Sequence, residues 1–168
     1  MASYSEAVNN ESARIAGELH RVYHGHAWLG PALEEILSGI DARGAAQRPI
    51  PGAHTIWELV LHISAWMSIA RERLSATEIR EPSSEEDWPP ITGSWQDALA
   101  DLQREARDLE QAVRTFPDLR LDEAAPAREP QTFYILLHGA VQHTAYHAGQ
   151  IALLKKYTNP SGVTEPGR

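Results

Sequence analysis

Cysteine is absent from this chain of 168 residues. That excludes disulfides, thiolate metal sites and a cysteine nucleophile, so any thiol chemistry must use a thiol brought in from outside. Long apolar runs are missing too: no stretch approaches the roughly 18 to 20 residues that span a bilayer. The mean hydropathy of −0.40 is that of a soluble chain. The opening residues, MASYSEAVNNESARIAG, lack the basic start and apolar centre of a secretory signal, and a cytoplasmic location is the expectation. Positive charge is scarce and scattered. Fifteen Lys and Arg stand against 23 Asp and Glu, a formal net charge of −8, and Lys155-Lys156 is the only adjacent basic pair. Neither nucleic acid nor an anionic membrane surface is an expected partner, because both need a clustered basic face. A small-molecule substrate remains.

What is present reads as helix, and the expected fold class is all-α. A first amphipathic segment runs from about Ser5 to His24, with Val8, Ile15, Leu19, Val22 and Tyr23 as its apolar members. Gly25 and Gly30 interrupt it, and Pro31 opens a short further helix in PALEEILSGI. The Pro- and Gly-rich stretch 41–53 reads as a linker. A second long helix begins at Thr55, whose side chain can cap the first turn while Glu58 reaches back. It continues through Ile56, Leu59, Val60, Ile63, Trp66, Met67, Ala70 and Leu74 to about Ala76. Residues 78–93 form a polar, Pro-rich loop, and Ser94 with Asp97 marks the third long helix, whose stripe is Leu99, Leu102, Leu109 and Val113. After a further loop over 117–130, the last helix runs from about Thr132 to Tyr157. These four amphipathic helices make a four-helix bundle. Its connections are long enough for crossovers, so simple up-and-down order is not required. The expected domain is residues 1–158, with 159–168 as a frayed tail.

Eight histidines occur. His143 and His147 in VQHTAYHAGQI are four apart, hence about 40° apart around the helix axis and one turn along it. Leu136, Ala140, Ile151 and Leu154 share that face, so both imidazoles point into the bundle, where an unpaired polar ring is costly. An HxxxH pair can bridge one divalent cation, but two core histidines with hydrogen-bond partners produce the same pattern, and HTAYH lacks the glutamate of HExxH. His62, on the apolar face of the second long helix with Leu59, Ala65, Trp66 and Ile69, shifts the balance. Three inward histidines from two helices are how bundle metal sites are assembled, and three imidazoles leave coordination positions for water or substrate. His54, Glu58 and Gln150 are weaker candidates for assisting roles. Glu58 can orient a ligand or act as a base, or simply complete the capping box. His138 lies on the opposite side of its helix from His147. His20, His24 and His26 read as a solvated helix end, and the tryptophans at 28, 57, 66, 88 and 95 as core.

The segments HTIWELVLHISAW, EEDWPP and HTAYHAGQIALLKK together resemble the DinB/YfiT-like metalloenzymes, over about Val22 to Lys156. The resemblance implies a four-helix bundle with an unusual helix order, often a homodimer. It also implies a three-histidine divalent-metal site, which carries across to His62, His143 and His147. Activities in that superfamily include S-transfer with a thiol cofactor and thiol-dependent maleylpyruvate isomerisation. Zinc is the expected metal, with nickel or manganese as alternatives. An enzyme that activates a low-molecular-weight thiol or a water is therefore expected. A hydrolase, a non-catalytic metal-binding bundle and a metal-free interaction module are the readings that compete with it.

Overall fold

The computed structural model describes residues 10–158. In chain order these form α1 (Glu11–His24), α2 (Leu33–Leu37), α3 (Ala42–Ala45), α4 (Ile56–Arg73), α5 (Ser84–Asp87), α6 (Trp95–Arg114) and α7 (Phe133–Thr158). One 3-10 turn, Asp118–Arg120, precedes α7, and among the described residues extended pairing is limited to a single bridge between Ala124 and Thr132. The protein is all-α, and α1, α4, α6 and α7 are its four long helices.

Both α1 and α4 pack against α6 and against α7. Around the bundle the order is therefore α1, α6, α4, α7. Consecutive long helices α1 and α4 stand diagonally, as do α6 and α7, so the connections at 25–55 and 115–132 cross over an end of the bundle. His62 meets His143 near the middle, and Arg73 and Gln131 line the same cavity, so α4 and α7 run antiparallel. The interior is filled by Ile15, Ile63, Trp95, Leu102, Leu137 and Ile151, each essentially without exposure. Burying side chains of this kind contributes about 1.5–3 kcal/mol apiece.

Local chemistry sets the helix starts. The Thr55 hydroxyl accepts the Glu58 N–H while the Glu58 carboxylate takes the Thr55 N–H at 2.7 Å, and Ser94 with Asp97 repeats the arrangement at α6. The first helix starts at Glu11, later than the expected segment. Asn10 caps it, and the Asp118 carboxylate accepts the N–H groups of Glu11 and Ser12 at 2.7 and 3.0 Å. An anion supplied from another part of the chain thus satisfies the first-turn donors. Residues 5–9 of the expected helix, and the tail over 159–168, lie outside the described residues. Two segments read as loops contain single helical turns. Asp41 caps α3 inside the 41–53 linker, and a Ser83–Glu86 capping box starts α5 inside 78–93. Both turns are too short for any hydrophobic period to announce them. Lys155, from the basic pair, donates to the carbonyls of Ile36 and Ser38 and ties the last turns of α7 to the end of α2.

Candidate metal centre

The site forms where α4 faces α7. Helical spacing turns His62 toward α7 and both His143 and His147 toward α4, and their Nε2 atoms converge. His143 Nε2 lies 3.0 Å from His62 Nε2 and 3.0 Å from His147 Nε2. One nitrogen from each ring falls within 4.8 Å of the other two. Two nitrogens held about 2.0–2.1 Å from one tetrahedral ion would stand about 3.3 Å apart, close to the spacing found. His62 and His147 are 5 and 6% exposed, and His143 is half-buried.

Hydrogen bonds on the outer nitrogens set the tautomers. His62 Nδ1 donates to the Asp87 carbonyl at 2.6 Å, and His147 Nδ1 donates to Gln150 Oε1 at 2.7 Å. In the neutral rings each Nε2 is then a bare acceptor. His143 has at most one proton to offer at Nε2, so at least one of the two short contacts sets lone pair against lone pair. A cation removes that conflict; a hydrogen-bonded histidine cluster does not. Charging the rings is no escape. Burial, followed by the neighbouring imidazoles, pushes His143 down to about 4, and burial also holds His62 and His147 below the ordinary imidazole range. All three rings are neutral at pH 7.

These shifts carry a pH dependence. In the metal-free protein the folded rings stay neutral, while the same rings in the unfolded chain take up protons below about pH 6.5. Stability of the metal-free fold is therefore expected to fall as pH drops from about 6.5, and to level off below about 4, where His143 also protonates in the fold. Urea midpoints at pH 7 and pH 5 should differ in this direction, and His143→Leu should reduce the difference.

Aromatic rings wall the site. Trp88 stacks on His62 with centroids 3.9 Å apart and planes 9° apart. Its other face carries His54, at 3.5 Å and 7°. His54 is thus not one of the converging rings and reaches His62 through Trp88. The Trp66 indole donates to Asp87 Oδ1 at 2.7 Å, and the same oxygen lies 3.4 Å from His62 Nδ1. Gln150 orients His147. Glu58 is held elsewhere: the Thr55 N–H and Arg48 Nη2, which donates to both carboxylate oxygens, occupy it. Burial raises the Glu58 carboxyl, but the Thr55 N–H and Arg48 outweigh it and hold the group below the usual carboxylate range. His138 pairs with Glu18, away from the triad, and His20 and His24 with Glu110 and Glu34 at the end of α1.

The tryptophans correct one expectation. Trp57 and Trp95 are core, but Trp28 is fully exposed, and Trp66 and Trp88 belong to the site. Trp66 had a legible signal, since it follows His62 by one turn on the same face. Asp87 and Trp88 had no periodic signal, because α5 and the residue after it deliver them from a loop. Beside the triad a cavity of about 310 Å³ opens between α4 and α7, walled by Trp66, Met67, Leu136 and Ala140 and reaching Arg73.

A family model described as the DinB superfamily matches residues 27–151, most of the chain and all three histidines. The protein belongs to the DinB superfamily. Metal binding is typical of that superfamily. A crystal structure of a conserved protein from Enterococcus faecalis is similar to this DinB protein at a TM-score of 0.63 and 15% identity. That likeness covers 91% of this chain and 98% of the other, and at such identity it speaks to the fold alone. No functionally curated protein matches the DinB chain in sequence. No helix among the described residues is long and apolar enough to cross a membrane.

Proposed function

We propose that His62, His143 and His147 hold one divalent cation, and that the protein is an enzyme acting on a small electrophilic molecule in the adjoining cavity. The observation that carries the reading is the meeting of three Nε2 atoms with too few protons among them to satisfy one another. Zinc suits an all-imidazole donor set first, with nickel or manganese as alternatives, and such a cation supplies Lewis acidity that lowers the pKa of a water or an incoming thiol.

The chain's own residues do the rest. Asp87 and Gln150 lock the ring orientation of His62 and His147, as outer partners of metal-bound histidines do. Trp88 and Trp66 cover the triad, and the apolar cavity wall receives the substrate. Among the described residues Asp87 is the one carboxylate on that wall, and with Glu58 engaged it is the better placed acceptor of a proton. With no cysteine in the chain, sulfur transfer uses a free low-molecular-weight thiol. The cavity beside the triad favours catalysis over a cation that merely staples α4 to α7. We place the activity in the cytoplasm. A homodimer has a surface to use, because Tyr146, Leu153 and Tyr157 lie exposed along one stripe of α7.

Elemental analysis of untagged protein tests the first half, with about one divalent ion per chain expected in the wild type and a loss in each of His62→Ala, His143→Ala and His147→Ala. Metal content that is low throughout and indifferent to all three substitutions would sink the site. Incubating the loaded protein with chlorodinitrobenzene and a panel of low-molecular-weight thiols tests the second half. Metal-dependent thioether formation is expected. Ester turnover without any thiol would identify a hydrolase, and no turnover of either kind a passive metal-binding bundle.

A further inference from the structure

We infer that Arg73 is an anion anchor, so that the cavity takes a small carboxylic acid with an apolar body, its carboxylate on Arg73 and its other end at the histidines. The inference rests on the metal reading only for what that other end meets.

Arg73 is the last residue of α4 and only 9% exposed. A guanidinium in that setting normally has its desolvation offset by several hydrogen bonds. This one makes none to any described residue: Nε is enclosed without a partner, and the nearest anion, Glu81 Oε2, lies 3.6 Å from Nη2. That is beyond hydrogen-bond length. Among the described residues Arg73 is also the only Lys or Arg side chain in the cavity lining; near it stand Gln131 and the apolar Met67, Ala70, Leu136 and Ala140, with Asp87 and the histidines at the other end. A planar fork with unused donors, at the end of an apolar slot, matches a carboxylate.

The spacing along α4 sets the ligand's length. His62, Trp66, Ala70 and Arg73 follow one another on a single face, and an arginine at a helix end leans back toward the preceding turns. Arg73 Cζ stands 5.8 Å from the Trp66 ring, and the His143 ring stands 5.7 Å from the same indole on the triad side. Guanidinium and the His143 ring both stand against one indole, which bounds their separation to the reach of a short carbon chain. Asp87, the one anionic group on the wall among the described residues, belongs to the histidine end and is engaged by Trp66, so it does not compete for Arg73.

Calorimetric titration with 5-phenylpentanoate and its primary amide, on metal-free and on zinc-loaded protein, tests the anchor. The acid is expected to bind about tenfold more tightly than the amide in both forms, as a charge-assisted pair should. Arg73→Gln should abolish that preference without weakening the amide, and Arg73→Lys should restore part of it. If Arg73→Gln does not fold, as judged by circular dichroism, Glu81→Gln decides. This substitution on a half-exposed side chain removes the competing anion and should raise the acid's affinity about threefold and leave the amide's unchanged. Equal affinities of acid and amide, binding of neither at millimolar concentration, or an unmoved Glu81→Gln variant would each overturn the anchor. So would a preference that survives Arg73→Gln but disappears with the zinc, since it would put the carboxylate on the metal. Failure of the metal reading shows separately, as a chain that retains no zinc yet still prefers the acid.

Discussion

Replacing His143 by alanine is expected to reduce zinc affinity more than 100-fold. Its Nε2 is the hub of the site, 3.0 Å from each of the other two, which are not held against each other by any bond of their own. Losing an outer partner such as Gln150 typically costs about 10–100-fold, and removing a ligand atom itself must cost more. The same change has an opposite effect on the empty protein. His143→Leu removes the ring whose lone pair opposes its neighbours and fills the space with an apolar side chain, so the metal-free melting temperature should rise. At zinc concentrations about 100 times the wild-type Kd, the wild type should gain about 2.7 kcal/mol of stability and either variant almost nothing. Competition with a chelating dye gives the affinity, and thermal melts with and without zinc give the rest. A His143→Ala protein within tenfold of wild-type affinity would show that the triad is not the binding site.

Trp95→Ala is expected to be the most damaging single substitution in the fold. The side chain is 1% exposed, packs edge-on against Trp57 at 5.4 Å, and donates its indole N–H to the Ile40 carbonyl at 2.8 Å. The lost volume costs about 3–5 kcal/mol, and loss of the part-buried hydrogen bond adds about 0.5–1.5 kcal/mol. Against a total stability of about 5–15 kcal/mol, the variant would stand close to unfolding. Trp95→Phe keeps most of the packing and isolates the hydrogen bond, at about 1–2 kcal/mol. Urea titration of the two variants separates the terms. A cost below about 1 kcal/mol for the alanine variant would contradict the place given to Trp95 in anchoring the connection at Ile40 to α6.

The long helices were legible because their causes are local. Thr55 with Glu58 and Ser94 with Asp97 start α4 and α6 through side-chain bonds three residues long, and the apolar residues that follow repeat at the helical period. The start of α1 was not legible, because the carboxylate that helps to end it at Glu11 belongs to Asp118, more than a hundred residues away. The one-turn helices at Asp41 and Ser83 carry caps but no periodicity, so Pro- and Gly-rich composition hid them.

At the site, the same division holds. Periodicity states which way a side chain points around its own axis, and that sufficed to turn His62, His143 and His147 inward. It says nothing about which helix stands opposite, at what height, or what a loop brings in. Only the tertiary structure could set α4 against α7 in antiparallel register, slide Trp88 between His54 and His62, and give His62 Nδ1 the Asp87 carbonyl. Composition and helical period were enough for an all-α bundle without thiols, with three inward imidazoles. Folding decided that their nitrogens meet with their outer protons already committed, and that an underbonded arginine ends the adjoining cavity, because both depend on contacts between residues far apart in the chain.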